Sequence, residues 1–125
     1  MNIRKHLSAS GLFNLVRAGF EKVTDTRTRK ATILMVDVLM SAFAMFSLKD
    51  DSLLMFDKRR ANARELGNLK RVYRIENVPC DTAMREILDP VDPEQFRPIF
   101  KDVFNQLQRG KVLEKFQYMG GYYII

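Results

Sequence analysis

Leu12, Phe13, Leu15, Val16, Phe20 and Val23 recur at mixed three- and four-residue spacings, which predicts an amphipathic helix from near Gly11 to Val23. A basic, Thr-rich connector, Thr24 to Arg29, follows it. From Ala31 to Leu48 apolar residues fall on nearly every side, so this segment is predicted to be a central helix covered by its neighbours. Lys49-Asp50-Asp51 breaks the pattern, and Asp51 or Ser52 can cap a next helix carrying Leu53, Leu54 and Phe56 and fading around Ala61 to Arg64. A shorter helix fits Glu65 to Tyr73, with Leu66, Leu69, Val72 and Tyr73 inward and Lys70, Arg71 and Arg74 outward.

Pro79 disfavours helix at Val78, while Asp81 or Thr82 can accept from the free N–H groups of a helix running to Leu88 and burying Met84, Ile87 and Leu88. Asp92-Pro93-Glu94-Gln95 combines a capping carboxylate, proline in the first turn and acids at the positive end of the dipole. Phe96, Ile99, Phe100, Val103, Phe104 and Leu107 then hold one apolar stripe, and Gly110 stops or kinks it. The ending changes period. Phe116 to Met119 and Tyr122 to Ile125 read as two strands around a two-residue Gly120-Gly121 turn. The continuous apolar run Tyr122 to Ile125 suits a strand covered on both faces, so the chain is expected to stop inside a larger sheet. The expected fold is therefore mainly α: a compact multi-helix domain over 1–115, then a β-hairpin over 116–125 opening a sheet whose remainder is missing.

Composition narrows the partners. The chain has 125 residues, and 46% hydrophobic with 29% charged residues excludes collagenous and wholly disordered classes. A net charge of +6 makes a polyanion the first partner to consider. The excess lies in residues 1–74, since residues 75–125 carry more acids than bases. Its densest clusters are Lys58-Arg59-Arg60 and Lys70-Arg71 with Arg74. The single cysteine, Cys80, and the single histidine, His6, leave no disulfide and no structural zinc set. Met1 to Ser10 lacks the apolar core of a cleavable signal, so the expected compartment is the cytoplasm. Ala31 to Leu48 approaches the length of a membrane span, but Asp37 within it would cost about 2.5–3.5 kcal/mol to insert, which argues against a membrane.

No catalytic constellation is visible. His6 lies in a polar N-terminal stretch and Cys80 beside a proline turn. Asp50, Asp51, Asp89 and Asp92 stand where caps and turns belong, and Gly120-Gly121 leads into strand rather than a phosphate-binding helix. No metal ligand or cofactor site is assigned. One constellation does suggest binding. Asn68 to Tyr73, a turn, and Thr82 to Leu88 make a candidate helix-turn-helix in which Thr82 and Arg85 face base edges. Lys58, Arg59, Arg60, Lys70, Arg71 and Arg74 would then anchor phosphates of double-stranded DNA. The Arg74-to-Asp81 connection exceeds the usual turn of about three or four residues, so a plain helical hairpin fits the spacing equally well.

Further residues carry a resemblance. They are Asp25-Thr26-Arg27, the run Ala42 to Leu48, Ser52-Leu53-Leu54 with Phe56, and Pro79-x-x-Thr82-x-x-Arg85. Leu88-Asp89-Pro90-Val91-Asp92-Pro93-Glu94 and Gln106 to Lys111 continue the series. In this order they resemble the N-terminal region of bacterial insertion-sequence transposases of the DDE, RNase H-like class, including relatives of the H-repeat-associated proteins. The resemblance spans roughly 11–125; Cys80 departs from it, where relatives carry a small polar residue. It implies a non-catalytic segment that binds transposon ends, and it implies that the missing sheet belongs to an RNase H-like α/β domain beyond Ile125 that holds the catalytic carboxylates and their Mg²⁺. The alternative reading is an assembly module forming a homo-oligomer through the Met- and Phe-rich central helix.

Overall fold

A computed structural model describes residues 7–28 and 32–123, and the fold is mainly helical. His6, Arg29, Ala31 and the Ile124-Ile125 end of the expected second strand lie outside the described residues. Six α-helices are present among the described residues: α1 (Ala9–Phe20), α2 (Met35–Ser47), α3 (Leu53–Ala61), α4 (Ala63–Val72), α5 (Asp81–Leu88) and α6 (Arg97–Arg109). A 3₁₀ turn, Pro93–Phe96, leads into α6, and another, Val112–Phe116, leaves it.

Local chemistry explains the boundaries. The Ser8 hydroxyl accepts from Gly11 N at 3.1 Å and opens α1 two residues before the expected start; Ser52 does the same for α3 through Met55 N at 3.2 Å. Asn62 accepts from Arg64 N and Glu65 N, so α4 begins at Ala63 directly after α3 ends. Asp92 accepts from Glu94 N at 3.0 Å ahead of Pro93, as expected. The cap of α5 differs from expectation: Cys80 holds the capping position with no side-chain bond, and Asp81 is already helical. Asp81 instead accepts from its neighbour Thr82 N at 2.7 Å.

Helix α2 is central but begins at Met35, since residues 32–34 bend before it. It buries Val38, Leu39, Met40 and Ala44 against α1 and α5. It is not covered all round: Phe46, near its end, is 73% exposed. Helix α1 also lies against α6, so closely that a Cβ on Gly19 would stand 2.7 Å from Ile99 Cγ1. An aromatic series joins these layers, with Tyr73 stacked on Phe13 at 5.0 Å, then Phe43, Phe20 and Phe96 edge to face.

Periodicity placed some residues on the wrong side. Val72, expected inward, is exposed, because α4 turns its buried line through Leu69 to the Tyr73 cap. Leu54 is exposed beside the fully buried Phe56. Phe100 and Phe104 are exposed while Ile99 is buried, so only one edge of the α6 stripe reaches the core. The hairpin exists, and its first strand is shorter than expected. Gln117–Tyr118 pairs antiparallel with Tyr122–Tyr123, Tyr118 facing Tyr122 across a three-residue loop rather than two. Met119 shares the left-handed backbone with Gly120, which is how the extra residue fits.

Candidate nucleic-acid interface

The segment between α4 and α5 is held in place by side chains from three other elements. Arg74 follows the α4 cap with φ of 56°, the left-handed position after a helix that usually favours glycine. Its carbonyl accepts from Arg17 Nη1 of α1 at 2.8 Å. Asp37, wholly buried in α2, accepts from Glu76 N at 3.3 Å and Asn77 N at 3.2 Å, one oxygen for each. Arg60 of α3 donates through Nε to the Val78 carbonyl at 3.0 Å. Ile75, Val78 and Pro79 are buried between these anchors. The carboxylate that argues against a membrane thus contributes to the fold, because it satisfies backbone donors of a turn that no helix or strand could satisfy. Among the described residues no helix is long and apolar enough to cross a membrane.

The eight residues singled out in the sequence separate into different settings. Lys58 is exposed in the last turn of α3. Arg59 is bound to Asp50 by two hydrogen bonds, at 3.0 and 2.7 Å, and reaches Glu65 at 3.3 Å. Hydrogen bonding to Asp50 holds its pKa above the ordinary arginine value, so its charge is permanent but already matched. Arg60 is committed to Val78 and lies 3.6 Å from Asp57. Lys70 is exposed above a separate groove that includes Glu76.

Arg71 and Arg74 come together. Both are exposed and line one groove of about 630 Å³ between α1 and the end of α4, where Arg71 Nη2 donates to Asn68 Oδ1 at 3.0 Å. Among the described residues no carboxylate pairs with Arg71 or Arg74. Thr82 and Arg85 are exposed on α5, which packs on α2 and α3 more than on α4 and lies outside that groove.

Sequence reasoning missed Arg17 and Asn14, which face the same groove from α1. Their spacing gave no hint, because Arg17 meets Arg74 across 57 residues of chain. Elsewhere, Asp25 and Arg27 close on each other in the 24–28 segment; the hydrogen bonds from Arg27 hold the Asp25 carboxyl below its usual range. No group of three or more His, Cys, Asp or Glu side chains among the described residues is disposed to hold a metal. No protein-family model matches the chain, and no curated protein and no solved structure matches it either.

Proposed function

We propose that this chain binds double-stranded DNA, as the helical N-terminal part of a transposase of the DDE class, and contributes positioning rather than chemistry. The observation that carries the reading is the pair Arg71 and Arg74: exposed guanidiniums with no carboxylate partner among the described residues, Arg71 in the last turn of α4 and Arg74 at the head of the turn fixed by Arg17, Asp37 and Arg60. Guanidinium forks suit phosphate oxygens, and a fixed backbone lets them meet a phosphate with little loss of side-chain freedom. Lys58 in the last turn of α3 and Lys70 beside Arg71 in α4 add exposed charge. Arg59 takes a structural part, held by two bonds to Asp50, and so does Arg60, whose Nε holds the Val78 carbonyl and which lines the separate groove beside Glu76. Thr82 and Arg85, exposed on α5, are the residues for base reading. The parent enzyme's Mg²⁺-dependent cleavage and strand transfer are assigned to none of these residues.

Fluorescence anisotropy of a labelled duplex over a salt series tests this. Replacing Arg71 and Arg74 by Ala should weaken binding to any duplex and shallow the salt slope by roughly one unit per lost phosphate contact. Unchanged affinity and slope would remove the reading. Arg85→Ala should cost about 1–3 kcal/mol on a cognate end and little on random sequence.

A second reading, self-association, is favoured by a different observation. Phe46 and Phe100 stand 73% and 48% exposed beside an apolar groove of about 480 Å³ reaching Phe43 and Phe96. Binding through that face would persist as salt rises, whereas phosphate-driven binding would fall steeply.

A further inference from the structure

We propose that the groove between α1 and α4 seats a phosphodiester of the bound DNA strand, which extends the interface to α1. The inference rests on the DNA-binding reading and adds residues that the helix-turn-helix segment does not contain. Among the described residues three guanidiniums, those of Arg17, Arg71 and Arg74, line the groove, and no carboxylate does. Arg17 spends Nη1 on the Arg74 carbonyl at 2.8 Å and turns Nε toward Glu21 at 3.6 Å, which leaves Nη2 to meet a ligand in the groove it lines. Ser10 and Asn14, exposed on the same wall, supply neutral donors.

Two further observations favour a strand over a bare anion. The volume, about 630 Å³, falls within the roughly 300–1,000 Å³ of sites that hold organic ligands, so a sugar and phosphate fit where an ion alone would rattle. The groove walls are also tied to the core. Phe13 stacks on Tyr73 at 5.0 Å and 19°, and the Tyr73 hydroxyl donates to Ser47 Oγ at 2.9 Å, so both walls are fixed to α2. Arg74 keeps its left-handed backbone at a position where glycine would be easier, and its side chain is what glycine would lack.

The test places a negative charge in the groove without harming the helix. Ser10 is the second residue of α1, where an acid interacts well with the positive end of the helix dipole, so Ser10→Asp should fold at least as well as the parent chain. Thr26→Asp, in the exposed 24–28 segment beyond the far end of α1, makes the same change in net charge. On a labelled duplex at low salt, Ser10→Asp should weaken binding by about tenfold and Thr26→Asp by less than about twofold, because distant exposed charges are screened. Asn14→Asp should reproduce the Ser10→Asp loss.

Titration of ¹⁵N-labelled protein with duplex should shift the Ser10, Asn14 and Asn68 amides together. Equal losses for Ser10→Asp and Thr26→Asp would overturn the groove and leave the Arg71 and Arg74 reading standing. Loss of that wider reading would show instead as unchanged binding when Arg71 and Arg74 are both replaced. A deoxynucleoside monophosphate that binds these amides more tightly than duplex does would overturn the assignment to a strand in favour of a free phosphate ligand.

Discussion

Residues 74–80 have no repeating backbone structure, yet they bury Ile75, Val78 and Pro79 and take hydrogen bonds from or to Arg17, Asp37 and Arg60. Residues 117–123 form a paired hairpin, yet Tyr118, Met119 and Tyr122 stand 57%, 77% and 74% exposed. The two segments differ in what holds them. A two-stranded ladder satisfies its own backbone but gains little free energy without a covered apolar face. An irregular turn whose backbone groups are met by side chains of α1, α2 and α3 is tied to the whole domain and should open only when the domain does.

The largest effect that could break this contrast is at Asp37. Asp37→Ala leaves the Glu76 and Asn77 N–H groups without their carboxylate partner beside the buried Ile75 and Val78, and should lower unfolding free energy by about 3 kcal/mol in urea titrations. A loss under about 1 kcal/mol would mean that water takes over and the anchor is dispensable. Arg60→Ala comes next. It removes one bond to the Val78 carbonyl and should cost about 1 kcal/mol of stability while leaving the salt dependence of DNA binding unchanged. A shallower salt slope for that variant would return Arg60 to the phosphate contacts.

The smallest effect is at the other segment. Ending the chain after Phe116 should change stability by less than about 0.5 kcal/mol and leave the helical circular dichroism intact. It should also raise solubility, since an exposed aromatic edge is a template for other chains. Loss of helical signal would show the hairpin to be integral.

Much of the helical layout is legible in the sequence because its causes are local. Ser52 and Asp92 announce starts through caps within three residues, and the Gly120-Gly121 pair announces a turn. Which edge of a stripe faces inward is not local, and Val72, Phe100 and Phe104 were misplaced for that reason. The site was less legible still. Arg59 and Arg60 look equivalent to Arg71 and Arg74 as charges, and only the fold shows that the first two are engaged by Asp50 and Val78. Arg17 belongs to the groove through a contact that no spacing rule could supply. Asp37 reads in sequence as a flaw in an apolar helix, and its partners lie 39 and 40 residues away.

Arg74 separates stability from function at a single position. Arg74→Gly keeps the left-handed backbone and the carbonyl that Arg17 needs, but removes the guanidinium. Thermal and urea unfolding should show stability unchanged or raised by up to about 1 kcal/mol, since glycine occupies that backbone region without penalty. Duplex binding measured on the same preparation should weaken, with the salt slope shallower by about one unit. Affinity and slope equal to those of the parent chain would contradict the assignment of this face to DNA.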